Sequence, residues 1–219
     1  MGKKLTKEKF DYIYCSDLNR TKQTLEGILS HQSPEERNKV TYTEELREVK
    51  MDSVEDQPIE VIEKIRSMGR FREGKNPGTN DECLVDVFYR CSKFLDKLIQ
   101  KYVNPKYQSG IKEENYFSIN DTDDVYTNQQ IQEMFDKGQL TNKEIDSSPI
   151  NTKVLLVTHG RFIAELIYNL LYRMGKKVGY NWETSNTALY CFKIVKPNNE
   201  SEKSINISFE ILNNTEHLA

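Results

Sequence analysis

Val154-Leu155-Leu156-Val157-Thr158-His159-Gly160-Arg161 decides the fold: an apolar run that stops abruptly at a His-Gly pair. A run of buried-type residues bounded by polar ones reads as a central strand. The stretch Arg161–Met174 follows, with Phe162, Ile163, Leu166, Ile167, Leu170, Leu171 and Met174 at the spacing of a helix's inner face. His159 therefore falls where the carboxyl end of a strand turns into a helix, and Gly160 lets the backbone approach a ligand closely. Ligands in open α/β sheets bind at such strand ends, and the first amides of the helix suit an anion. These residues alone leave two readings open: an anion-binding imidazole, or a buried histidine satisfied by backbone within an ordinary turn.

Working outward, Phe10-Asp11-Tyr12-Ile13-Tyr14-Cys15 is aromatic and β-branched and reads as a second strand. Ser16-Asp17 offer capping side chains, and Arg20–Ser30 reads as a helix with Thr24, Leu25, Ile28 and Leu29 inward. Pro58–Met68 suggests a further helix through Ile59, Ile62 and Ile65. Leu84, Val87, Phe88, Cys91, Leu95, Leu98 and Tyr102 recur at steps of three or four, the pattern of a long helix. Ala188–Val195 and Ser204–Leu212 are β-rich, and the polar Pro197–Lys203 between them predicts a hairpin. The expected architecture is α/β, a mostly parallel sheet with helices on both faces, in a single domain over residues 1–219.

Residues 104–150 differ in character. They carry four Lys against nine Asp and Glu, a net of −5 within a chain of net charge −3, so the remainder is +2. The segment reads as a polar, acidic insertion with a short helical patch at Ile131–Phe135. Closed over an anion site it would repel the ligand, so it is expected to lie aside or to turn Lys106, Lys112 or Lys137 inward. The charge balance gives no reason to expect nucleic-acid binding, and no apolar stretch is long enough for a bilayer span. The start, Met1-Gly2-Lys3-Lys4-Leu5-Thr6, lacks the apolar core of a signal peptide but fits the loose myristoylation pattern. Cys15, Cys83, Cys91 and Cys191 have no metal-ligand spacing and read as reduced core thiols of a cytoplasmic protein.

Two strand-to-helix junctions are thus alike, Cys15-Ser16-Asp17-Leu18-Asn19-Arg20 and Thr158-His159-Gly160. In one parallel sheet their carboxyl ends open on the same edge, so Arg20 can reach the space beside His159. A guanidinium is a planar, permanently charged fork suited to phosphate oxygens. As a plain first-turn cation, Arg20 would oppose the helix dipole by ~0.3–1 kcal/mol.

These residues resemble the histidine phosphatase (phosphoglycerate mutase-like) superfamily. The resemblance rests on Ser16-Asp17-Leu18-x-Arg20-Thr21-x-Gln23-Thr24, Leu46-Arg47-Glu48, an acidic residue before the long helix, and Val157-Thr158-His159-Gly160, in that order. Gly27-Ile28-Leu29, the polar insertion, Asn186-Thr187 and Asn214-x-x-His217-Leu218 look most like the TIGAR-type fructose-2,6-bisphosphatases. The resemblance runs from Phe10 over nearly the whole chain.

It implies that Arg20 clamps phosphate, that Glu82 protonates the leaving oxygen, and that His159 binds the phosphoryl group. It further implies that the Gly160 amide faces the same oxygens and that Asn186 supports the pocket. A carboxyl among apolar neighbours can stay protonated near neutral pH, although Glu82 also suits the acidic start of a helix and Asp81 competes with it. Phosphoryl transfer needs mainly positioning and positive charge, so no metal and no cofactor are expected. The partner implied is a small anionic sugar phosphate. His31 and His217 read as structural.

The family's nucleophile is a histidine in an Arg-His-Gly triplet that ends a first strand and is phosphorylated transiently. No such triplet occurs, and none of the residues before Phe10 is a histidine. The expectation is a sheet without that first strand, from either an N-terminally truncated phosphatase or a phosphate-binding pseudoenzyme, catalytically weak as it stands. His159 would lie alongside the phosphoryl group and not in line with the leaving oxygen. Val49-Lys50-Met51-Asp52 and Asp56 depart from the family's usual aromatic-Gly and Gly positions. A phosphoglycerate mutase-like enzyme is the other catalytic reading.

Overall fold

The structure is a computed structural model that describes residues 2–52, 57–58, 60–61, 80–111, 126–142, 145, 150–176, 184–197 and 204–218. Most of the expected helix over Pro58–Met68, together with Asp56 and Lys112, lies outside the described residues.

Tyr12–Ser16 forms strand β1, Val40–Thr43 forms β2 and Val154–Val157 forms β3. They make a parallel sheet of order β2-β1-β3, with Cys15 opposite both Tyr42 and Val157. The period-two alternation of β1 serves two layers. Ile13 and Cys15 pack with Leu25, Ile28 and Leu29 of helix α2, Asn19–Leu29, after the short α1 of Gly2–Leu5. Tyr14 turns to the other layer, edge-on to Phe94 at 5.8 Å. That layer holds α3, Leu84–Tyr102, a shorter α4, Asn128–Asp136, and α5, Gly160–Arg173. Strands β4, Leu189–Val195, and β5, Asn206–Asn214, form the expected antiparallel hairpin. The α/β fold, with helices on both faces of a parallel sheet, is thus present.

Two local readings are corrected. The apolar run at 154–157 is an edge strand: among the described residues β3 pairs with β1 alone, and Val154, Leu155 and Leu156 are half-buried. β1 takes the centre. Leu189 of β4 and Leu155 of β3 pack against the same cluster, and the hairpin forms a separate sheet. In α2 the inward threonine is Thr21, whereas Thr24 is exposed and bonds back to the Arg20 carbonyl at 3.0 Å. Thr21 Oγ1 donates to the Ser16 and Leu18 carbonyls, which draws it under the helix.

The described parts of 104–150 pack into the main core through Tyr107, Ile131, Met134 and Leu140. Thr127 and Gln130 close a reciprocal cap at the start of α4. The Phe209 amide donates to the Leu140 carbonyl at 2.9 Å, and the Asn142 amide donates to Ser208 Oγ at 2.9 Å. Lys106 and Lys137 are exposed, so neither turns inward. Arg173 fastens the segment: its side chain is 3% exposed, pairs with Asp96 at 2.9 Å, donates to Ser92 Oγ and contacts Tyr107 Oη. Removing one partner of a buried pair strands the other, which costs about 3–5 kcal/mol. Arg173→Met is expected to lower unfolding free energy by about 3 kcal/mol in urea titrations; a loss under about 0.5 kcal/mol would contradict its role as the tie between α3, α5 and the Tyr107 segment.

Candidate active site

The parallel register brings the carboxyl ends of β1 and β3 side by side, and the site grows from their two turns. β1 ends at Ser16, and the chain enters α2 through Asp17 and Leu18, which puts Arg20 in the first helical turn. The capping role expected of Ser16 and Asp17 is not taken up: Leu18 is the N-cap residue and no side chain caps it. Asp17 is held instead by the Arg47 fork at 2.7 and 2.5 Å, a contact that lowers its carboxyl pKa. Across the sheet, β3 ends at Val157, Thr158 Oγ1 donates to the Leu46 carbonyl at 2.7 Å, and His159 caps α5 in extended conformation.

The ring of His159 is buried between the two turns. Arg20 Nε donates to its Nδ1 at 3.0 Å, and its Nε2 meets the fully buried Ser16 Oγ at 2.9 Å. Because a guanidinium only donates, Nδ1 must be the accepting nitrogen, which assigns the proton of the neutral ring to Nε2. Burial, then the nearby Arg20 and Arg90 guanidinia, push the imidazole down to about 4, with Asp17 opposing. The ring is therefore neutral at pH 7. Arg20 is exposed and spends Nε alone on His159. Among the described residues its two terminal nitrogens have no hydrogen-bond partner. Gly160 is required by close approach, since a Cβ there would lie 2.9 Å from Thr184 Oγ1, which donates to the Gly160 carbonyl.

Glu82 is elsewhere engaged. Arg90 holds its carboxylate at 3.0 and 2.9 Å, and the Lys50 amide adds a third bond at 3.0 Å. Arg90 also donates to the Glu45 and Arg47 carbonyls at 2.8 Å each, so the Glu82–Arg90 pair clamps the 45–50 backbone. Glu82 touches neither Arg20 nor His159. Asn186 is exposed in a turn where Thr187 has φ of 56°, and it hydrogen-bonds none of these residues. The structure thus joins Arg20, His159 and Ser16, sets Gly160 next to them, and gives Glu82 and Asn186 no hydrogen bond to any of them; Glu82 is linked to the site through Arg90, whose charge reaches His159.

Two residues were not singled out from sequence. Ser16 orients the imidazole, and Glu48 accepts the Arg161 amide at 3.3 Å at the start of α5. Glu48 was visible within Leu46-Arg47-Glu48, but only spatial contact distinguishes it from Glu82. His31 bonds within its own helix end and His217 meets Thr187 Oγ1 at 3.2 Å, both away from Arg20.

A buried neutral imidazole, a fork with free donors and a helix N-terminus together can hold a tetrahedral oxyanion. Residues 1–107 match the model of the histidine phosphatase superfamily (branch 1). That match spans just under half of the chain, and the fold over nearly all of the chain is phosphoglycerate mutase-like. YhfR of Bacillus stearothermophilus is similar at TM-score 0.57 and 15% identity, covering 100% of this chain and 81% of its own. A mycobacterial glucosyl-3-phosphoglycerate phosphatase is similar at TM-score 0.53 and 18% identity, covering 98% and 81%. In its complex with inorganic phosphate the same phosphatase is similar at TM-score 0.54 and 18% identity, covering 98% and 82%. No curated protein matches the chain in sequence. Among the described residues no helix is long and apolar enough to cross a membrane.

The depressed His159 pKa has a thermodynamic consequence. Between about 4 and 6.5 the unfolded chain binds a proton at this ring that the folded chain does not. Stability at this group is complete above about pH 6.5 and lost on acidification through about 4, a contribution of about 3 kcal/mol. Imidazole NMR titration should find His159 near pH 4. Arg20→Gln should raise that value while leaving it below 6.5, because burial is the larger cause; an unchanged titration in the variant would contradict the pairing.

Proposed function

We propose that the whole chain is of the histidine phosphatase type and that its site holds the phosphoryl group of a small sugar phosphate. A fructose-2,6-bisphosphate-like ester is the substrate class that the TIGAR-type motifs suggest. The observation that carries this reading is the Arg20–His159–Ser16 contact at the carboxyl ends of two parallel strands. Arg20's free donors and the Gly160 amide would bind equatorial oxygens, and the Nε2–H of His159 would turn from Ser16 toward a third. Charge that develops on those oxygens during transfer is met by groups already in place. The phosphatase likeness of the fold supports the same reading.

The proton for the leaving oxygen comes most simply from Glu48. Its carboxyl stands at the α5 N-terminus and would leave two amide bonds, from Arg161 and Val49, whereas Glu82 would have to leave three hydrogen bonds, two of them from the Arg90 guanidinium. Glu82 then serves as the anchor of the 45–50 loop.

Covalent attack is the weak point of the site. His159 Nδ1 has its lone pair on Arg20 and Nε2 carries the proton, so neither nitrogen is free to attack phosphorus. The other two histidines lie elsewhere. On its own, the chain is proposed to bind phosphoryl groups and to turn them over slowly or not at all. A mutase-like turnover would need a free nucleophilic histidine as well, which His159 in this arrangement does not provide.

The test uses this polypeptide with inorganic phosphate, p-nitrophenyl phosphate and fructose 2,6-bisphosphate. Phosphate at about 100 times its Kd should stabilise the protein by about 2.7 kcal/mol, a Tm rise of roughly 5–10 °C for a chain of this size. Arg20→Gln and His159→Ala should abolish the rise, with hydrolysis at background throughout. Ordinary turnover, or a phosphohistidine mapped to His159, would overturn the binding-without-attack reading. Absence of any phosphate effect would overturn the site.

A further inference from the structure

Among the described arginines, most are spent. Arg47 is bound to Asp17, Arg90 to Glu82, and the buried Arg173 to Asp96. Arg161 is different. Its guanidinium makes no hydrogen bond among the described residues, and its one ion pair, to Glu165, stands at 3.7 Å, beyond hydrogen-bonding reach. The side chain is 29% exposed, in the first turn of α5.

Two further facts bear on that cation. Glu165 is 4% exposed in the layer between α5 and α3, where burial raises its carboxyl to about 8 despite Arg161. It is protonated at pH 7, so the pair supplies almost no counter-charge. Meanwhile a positive charge on the first turn of a helix opposes the helix dipole by ~0.3–1 kcal/mol. The nearby Glu48 carboxylate sits on the Arg161 amide and not on its guanidinium.

We propose that Arg161 is a second anion-binding side chain of the site, and that it takes the carboxylate or second phosphoryl group of a substrate carrying two acidic groups. The proposal rests on the reading of Arg20 and His159 as the phosphoryl-holding pair. Placement carries it. His159 and Arg161 are two residues apart, so their Cα atoms are separated by no more than about 7 Å, and the flexible arm of Arg161 can swing within that span. A single phosphoryl group is already served by Arg20, His159 and the helix amides. A further unspent fork this close has the spacing of a second acid on the same small molecule, two or three carbons away. An ester whose remainder is neutral leaves Arg161 unfilled and is bound less tightly. Specificity at this site is thus set by the second acid.

Calorimetric titration of the whole chain at pH 7 tests this with three probes. Inorganic phosphate carries one acidic group, 2-phosphoglycolate adds a carboxylate, and fructose 2,6-bisphosphate adds a second phosphoryl. The native chain should bind at least one of the two larger probes tenfold or more tighter than phosphate. Arg161→Gln should remove that tenfold gain while changing phosphate affinity less than twofold, and Arg161→Lys should restore part of it. Whichever probe loses affinity identifies the second acid as carboxylate or phosphoryl. If Arg161→Gln leaves all three affinities unchanged while Arg20→Gln abolishes them, the proposal falls and the phosphoryl site stands. If the native chain binds none of the three, both fall together.

Discussion

The hydrogen bond from Arg20 Nε to His159 Nδ1 joins two turns that lie 139 residues apart, and the arrangement around it follows from that junction. It exists because β1 and β3 run parallel with Cys15 opposite Val157, which places their following turns at one level. A slip of the register by one residue would turn each side chain to the opposite face. The contact also fixes chemistry: burial first, and then a guanidinium against one ring nitrogen, keep the imidazole neutral and leave its Nε2–H pointing at Ser16 Oγ. The ring becomes a donor of fixed direction.

Around this junction the other charges form a frame. Arg47 ties Asp17 of the first turn, and Arg90 ties Glu82 while gripping the carbonyls of Glu45 and Arg47. These paired arginines hold the 45–50 loop against α3 and β1. Isolated exposed pairs contribute little, but Arg90 is largely covered and reaches four acceptors, so its role is positional. Among the described residues the frame leaves Arg20 and Arg161 as cations with donors to spare.

Much of this was legible in the chain, for identifiable reasons. The run at 154–157 followed by a 3.6-residue period gave the strand-turn-helix unit, and the long helix and the hairpin were equally plain because each repeats its pattern over many residues. Arg20 and His159 were legible because both fall just past strand ends. What periodicity cannot supply is partnership. Nothing in Asn80-Asp81-Glu82-Cys83 discloses that Arg90 lies two helical turns on with its fork facing back, and so Glu82 read as an acid. β3 read as central because its residues are apolar, whereas strand order depends on pairings distant in sequence. The polar composition of 104–150 hid Tyr107, Ile131, Met134 and Leu140, whose few side chains reach the core. Glu165 escaped notice because a lone carboxyl on an apolar helix face looks like an exposed one until its neighbours are placed.

The sheet has a kinetic side as well. Its β1–β3 pairing closes over most of the chain, with Asp11 and Lys153 bonded although 142 residues apart. Contacts of that separation form late, because the entropy of closing so large a loop must be met before they return any stabilisation. The helices and the β4–β5 hairpin can assemble from local contacts first. The Arg20–His159 junction is therefore among the final features to mature during folding, and a chain arrested before that step would hold most of its helices without it.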